Sequence, residues 1–170
     1  LALQLGRRDR VAGDEMLEQV GRGLQDAVQQ LRSLAHGVYP PLLVERGLNE
    51  ALAAAAGRAG IQTQVEATVR GRYPPELEAA VYFCCLEALQ NVVKHAGGDA
   101  KVTVRVWEES GALLFDVTDD GVGFDPGLQR QAGAGFMNME DRVGAMGGSL
   151  GVQSAPGRGT RVSGRVPLRR

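Results

Sequence analysis

Apolar side chains at Leu17, Val20, Leu24, Val28, Leu31 and Ala35 fall three or four positions apart, one stripe that predicts a helix over residues 14–36. Asp14 can cap its start by accepting a free backbone N–H, and Gly37 followed by Pro40 and Pro41 ends it. Gly21 and Gly23 weaken it locally. Residues 1–8 could be the tail of an earlier helix packed antiparallel to this one. The stripe fits an ordinary core-facing helix and half of a dimerising hairpin equally well. Further along, the alanine-rich residues 47–59 read as helical, and Ile61, Thr63, Val65, Ala67 and Val69 alternate with polar positions as in a strand with one wet face. Tyr73-Pro74-Pro75 sets proline at a helix start, and Leu77, Val81, Cys84, Ala88 and Val92 mark a buried helix over residues 76–95. Val102, Val104 and Val106, then Phe115 and Val117, predict two strands joined as a hairpin through Glu109-Ser110-Gly111. Phe136, Met139, Val143 and Met146 predict a short helix stopped by Gly147-Gly148. Leu150 and Val152, then Val162 and Val166, predict two closing strands around Pro156-Gly157-Arg158-Gly159. Helices on one face of a mostly antiparallel sheet is the α+β arrangement, with a boundary near residues 38–46.

Composition narrows the classes. Nineteen basic residues nearly cancel twenty acidic ones, and a net charge of −1 gives no support to a nucleic-acid or membrane-surface binder. The two cysteines, Cys84 and Cys85, are adjacent, so the chain is no disulfide scaffold and a reducing compartment suits it. No run approaches the roughly 18 apolar residues of a membrane span. The chain opens with Leu1 rather than Met, so we expect a piece of a longer protein. Glycine, 24 of 170 residues, is about twice the usual share of roughly 7%, and it clusters after Gly121, where loops must have special backbone needs.

Hydrolytic machinery is missing: His36 and His95 are the two histidines, and there is no Gly-x-Ser-x-Gly elbow, Cys-x-x-Cys pair or Gly-x-x-x-x-Gly-Lys-Ser/Thr loop. Four polar or glycine-bearing segments remain. Glu87, Asn91 and Lys94 share a face of the helix over 76–95, with His95 beside them. They offer a base, an oxygen ligand for a hard cation and a phosphate partner, although a solvated helix face explains them too. Asp119-Asp120-Gly121-Val122-Gly123 follows a strand, where a carboxylate can accept from an exocyclic amine and glycines permit close approach of a flat ligand. Gly133 and Gly135 open a helix whose free N–H groups suit phosphate. Gly157-Arg158-Gly159-Thr160 enters the last strand, and by itself is a hairpin turn.

Taken in order, Glu87…Asn91-x-x-Lys94-His95, Asp119-x-Gly121-x-Gly123, Gly133-x-Gly135 and Gly157-x-Gly159-Thr160 resemble the N, G1, G2 and G3 boxes of the Bergerat-type (GHKL) ATP-binding fold. That superfamily includes sensor histidine kinases, gyrase-type topoisomerases and the ninety-kilodalton heat-shock chaperones. The flank Leu31-Arg32-Ser33-Leu34-Ala35-His36-Gly37-Val38-Tyr39-Pro40-Pro41-Leu42, then Gly47-Leu48-x-x-Ala51-Leu52, looks like the junction of bacterial histidine kinases paired with helix-turn-helix response regulators. Tyr82-Phe83 before Glu87 and Met139-x-x-Arg142-Val143 before Gly147-Gly148 fit the same class.

The resemblance implies a two-layer α/β sandwich, with a mixed, mostly antiparallel sheet, preceded by a partial helical dimerisation hairpin. Residues 1–42 would be the remnant of the dimerisation and phosphotransfer helices, and 43–170 the ATP-binding catalytic domain. Asp119 would accept the adenine amine, with Gly121 and Gly123 leaving room for the base and Thr160 helping to hold it. Asn91 would ligand Mg²⁺, Glu87 would polarise the acceptor histidine, and Lys94 and His95 would meet phosphate. Gly133 and Gly135 would cradle phosphates, Gly157 and Gly159 would shape the last box, and residues 125–132 would form a short mobile lid. The partners implied are ATP, a cognate response regulator and a second copy in the full-length parent, in the cytoplasm, with a parent that could itself be membrane-anchored. No acceptor His-Asp motif is present, and His36 sits at the wrong end of its helix. The chain is therefore expected to bind Mg-ATP without phosphorylating itself. Two other readings keep the ATP site: an anti-sigma-factor serine kinase, disfavoured by residues 14–52, and a non-catalytic nucleotide-binding module, disfavoured by the presence of both Glu87 and Asn91.

Overall fold

A computed structural model of the chain describes residues 40–69, 71–125 and 134–168. The expected helix over 14–36, the helix tail at residues 1–8, His36, the lid beyond Asp125, and Gly133 lie outside these residues.

The first element, α1 (Pro41–Arg46), is a helix that the hydrophobic pattern did not predict. By sequence pattern alone Pro40 and Pro41 are only a terminator. Proline at the first helical turn lacks an N–H that would have had no partner there, so the same residue can begin a helix. Gly47, at φ +85°, ends α1 by donating its N–H to the Leu43 carbonyl, and it starts α2 (Leu48–Gly57). Arg72 holds this corner. Its guanidinium donates to the carbonyls of Leu43 and Val44 and pairs at 2.9 Å with Glu78, whose carboxylate is buried and also accepts the Tyr73 N–H.

Strand β1 (Gln62–Ala67) pairs in parallel with β2 (Lys101–Glu109). A parallel pair needs a long crossing, supplied by α3 (Pro75–His95). The predicted hairpin joins β2 to β3 (Ala112–Asp119) through Ser110 and Gly111, both at positive φ, as a tight hairpin turn requires. After α4 (Ala134–Ala145) come β4 (Ser149–Ser154) and β5 (Thr160–Pro167). The sheet order is β1-β2-β3-β5-β4, antiparallel except at β1–β2, and α3 and α4 pack on it. This is the expected α+β sandwich.

The core lies between α3 and the sheet, where Val81, Cys84 and Ala88 of the helix and Val104, Phe115, Val117 and Val162 of the strands are all buried. Burial pushes the Cys84 thiol up to about 12, with Arg142 opposing, so this cysteine packs as an inert apolar group. Gly164 stands opposite Phe115 in the ladder, where a side chain would collide with the ring. On the other face of β3, Asp116 is fully buried beneath Arg105, bound at 3.0 and 2.7 Å, and Arg161, at 2.7 Å.

Candidate functional site

Asp119 is the last residue of β3, and the chain behind it is pinned to the end of α3. The Val122 N–H donates to the Ala96 carbonyl at 3.0 Å, and the Lys101 N–H donates to Asp120 Oδ1 at 2.6 Å. Between the C-terminal half of α3, this loop, the start of α4 and the start of β5 lies a cleft of about 480 Å³. Ligand pockets for small molecules fall in the same range of roughly 300–1,000 Å³. Three of the four candidate segments contribute Asn91 and His95, Asp119 and Gly123, and Thr160 to its wall; Gly135 contributes from the fourth.

The glycines also serve the packing of the chain on itself. A Cβ on Gly121 would run into Ala96, and one on Gly123, at φ +59°, would run into the backbone of Ala155 and the Gly159 carbonyl. Their missing side chains make room for the protein's own backbone, so that the loop after β3 can sit between the end of α3 and the turn before β5. Gly159, at φ +69°, packs in turn on the backbone of Asp119. Gly157, at φ +72°, faces open space and donates its N–H to the Val122 carbonyl at 2.7 Å.

Asp119 is buried, and its Oδ1 accepts the Gly121 N–H at 2.9 Å. Burial lifts its carboxyl above the ordinary carboxylate range, while the N–H groups of Gly121 and Thr160 pull it back. It is thus a buried acceptor in the wall of the cleft.

On α3, the stripe Ala88, Asn91, Val92 and His95 faces the cleft. His95, four residues after Asn91, lines the wall; Lys94 is exposed and does not. Glu87 lies one turn earlier and meets Gly135. A Cβ there would come within 2.5 Å of Glu87 Oε1 and 3.6 Å of Asn91 Nδ2, so glycine at the start of α4 brings that helix close to both. Among the described residues no group of three or more His, Cys, Asp and Glu could hold a metal. A divalent cation here would rest on the Asn91 amide oxygen and on ligand oxygens, which suits a hard ion that keeps much of its water.

Three contributors carry no site role in the sequence reading. Phe136, read as a core position, lines the cleft instead, 6.0 Å from Phe124 between ring centroids. Ser154, unremarkable in sequence, is a hydrogen-bond hub at the end of β4, with Phe124, Gly159 and Thr160 as partners. The aromatic pair had a faint signal, in that each phenylalanine sits two residues or fewer from a glycine-bearing box; the serine had none.

Residues 76–170 match the family described as histidine kinase-, DNA gyrase B- and HSP90-like ATPases. The chain is 32% identical over 173 residues to the sensor histidine kinase MctS of Rhizobium johnstonii, covering 95% of this chain and 37% of that protein. It is 32% identical over 180 residues to the signal transduction histidine-protein kinase/phosphatase UhpB of Salmonella typhimurium, covering 98% and 35%. The chain thus spans little more than a third of these relatives. Among solved structures it is similar to the histidine kinase domain of a blue-light activated histidine kinase from Erythrobacter litoralis, with TM-score 0.59, 27% identity, and coverage of 69% of this chain and 57% of that one.

Proposed function

Because this chain belongs to the histidine kinase-, DNA gyrase B- and HSP90-like ATPase family and carries the ATP-binding catalytic domain of a sensor histidine kinase, we propose that its cleft binds Mg-ATP and passes the γ-phosphoryl group to a histidine borne on a dimerisation hairpin. The observation that carries this is convergence: Asn91, Asp119, Gly135 and Thr160, scattered over 70 positions of sequence, share one wall. Asp119 accepts the adenine amine and Thr160 stands beside it. The aromatic pair Phe124 and Phe136 gives the base an apolar surface. Mg²⁺, held by Asn91 with phosphate oxygens and water, would neutralise charge on the triphosphate. Glu87 takes the N–H of the acceptor imidazole on the side away from the phosphorus, so that the other nitrogen attacks. The new N–P bond forms as the bond to the bridging oxygen breaks and ADP leaves. Such a reaction needs alignment and charge neutralisation more than covalent chemistry from the protein, which suits so sparse a set of groups. A response regulator then receives the phosphoryl group, and the parent protein works as a homodimer. Residues 1–42 are proposed as the remnant of its helical hairpin, and residues 125–132 as the cover of the cleft.

The test is transfer of labelled γ-phosphate from ATP to an added acceptor hairpin taken from an intact kinase. We expect transfer by the wild-type chain and a loss of about 10²-fold or more in Glu87→Gln, with nucleotide binding retained. Binding without transfer in the wild type would overturn the kinase reading and leave a nucleotide-binding module.

A further inference from the structure

A hydroxyl has one proton to give and two lone pairs to receive, and Ser154 commits all three. Its Oγ lies 2.9 Å from the backbone N of Phe124, 2.9 Å from the carbonyl oxygen of Gly159 and 3.0 Å from Thr160 Oγ1. The first partner can only donate and the second can only accept. Ser154 therefore spends its proton on Gly159. The third contact is then made only if Thr160 is the donor. Ser154 and Thr160 are directly paired in the β4–β5 ladder, so the two hydroxyls are held side by side by backbone register. With its single proton given to Ser154, Thr160 offers the cleft lone pairs alone. Asp119, the other polar side chain at this end of the cleft, is a carboxylate and likewise accepts.

We propose that Ser154 is a positioning residue that sets base specificity: by taking the proton of Thr160 it leaves this wall of the cleft with side-chain acceptors only. Where it faces the 6-position of a purine, such a wall receives an exocyclic amine and opposes a keto oxygen. A carboxylate alone would discriminate in the same direction. Thr160 with a free proton would undo part of that, because a rotating hydroxyl can donate to a keto oxygen. Ser154 removes this escape without itself lining the cleft. The inference rests on the reading of the cleft as a nucleotide site.

The experiment is calorimetric titration of the 170-residue chain with Mg-ATP and with Mg-inosine triphosphate, whose bases carry an amine or a keto oxygen at the 6-position and differ with it at the neighbouring N1, bare in adenine and protonated in hypoxanthine. Wild type and Ser154→Thr, which keeps the hydroxyl, should both prefer ATP to the same degree. Ser154→Ala and Ser154→Cys should lose tenfold or more of that preference, chiefly by tolerating the keto purine. Equal weakening of both nucleotides in Ser154→Ala would mean a simple tie between loops and would overturn the proposal. Should Ser154→Ala not fold, an unchanged preference in Ser154→Cys does the same. A wild-type chain that binds neither nucleotide removes the ATP reading and this inference together, whereas a wild-type preference that survives in the Ser154 variants removes the inference alone.

Discussion

Gly159 lies on the backbone of Asp119 so closely that a Cβ would press against the Asp119 carbonyl group, 2.8 Å from its carbon. Its φ of +69° is also one that other residues enter at a cost. Gly157, two residues earlier, has nearly the same φ of +72° and nothing in front of it. The pair separates two costs. Gly157→Ala should lose only the strain of a left-handed residue, about 1 kcal/mol. Gly159→Ala should add the displacement of Asp119, for roughly 2–4 kcal/mol in all, and should weaken nucleotide binding at least tenfold. Urea unfolding of both variants, with nucleotide titration, checks the ordering; equal effects would show that Asp119 is not held by this contact.

Asp116 is an ion-pair centre remote from the cleft, and its partners decide how much it matters. Arg105 and Arg161 are 45% and 44% exposed, so removing the carboxylate leaves two cations that water can still reach. Asp116→Ala should therefore destabilise by about 1–3 kcal/mol, the scale of lost charged hydrogen bonds, and not by the larger cost of stranding buried charge. Nucleotide affinity measured below the unfolding transition should be unchanged. A loss of affinity with little loss of stability would mean that the two faces of β3 are coupled.

Acid should disarm the cleft before it unfolds the chain. The Asp119 carboxyl is raised, first by burial, so it takes a proton at higher pH than an ordinary carboxylate. In that window the folded state binds more proton than the unfolded state, so Asp119 itself makes the empty protein slightly more stable as pH falls. The same proton removes an acceptor for an amine, and nucleotide binding weakens. For Asp116, burial alone would raise the carboxyl, but Arg105 and then Arg161 hold it below the ordinary range. Its contribution is present above the unfolded carboxylate pKa and lost only as pH falls through the depressed folded value. Titration of ATP affinity and of circular dichroism against pH should give two separate transitions, binding first. Asp119→Asn should lack the part of the binding transition that does not belong to the phosphates. Coincident loss of binding and fold would contradict this assignment.

Much of the architecture can be read from side-chain periodicity because most of the described residues obey one-face rules. The valine alternation of β2 survives intact as buried Val102, Val104 and Val106, and the stripe of α3 buries Leu77, Val81, Cys84, Ala88 and Val92 as its spacing requires. Helix α1 was illegible because proline carries two meanings, end and beginning, and six residues are too few for a period to decide. At the site, Asp119 and Thr160 were visible because charged or hydroxyl groups beside paired glycines form a pattern. Ser154 was not, since its importance lies in three partners at separations of 30, 5 and 6 residues. Asp116 gave no sign either. Alternation makes it a surface residue, and it is buried only because register sets Arg105 opposite and brings Arg161 across from β5. On α3, His95 lines the cleft and the adjacent Lys94 does not.

Calorimetric titration of Mg-ATP into the wild-type chain and into Asp119→Asn bears most directly on the central claim, that a buried carboxylate at the end of β3 recognises the adenine of a bound nucleotide. Asparagine keeps the size and can still accept the Gly121 N–H, but it exchanges a charged acceptor for a neutral amide. The loss of a charged hydrogen bond, about 1.5–3 kcal/mol, should weaken binding roughly ten- to hundredfold, while the nucleotide-free variant melts no lower than wild type because an uncomfortable buried charge is gone. Equal affinity in the two proteins would contradict the account.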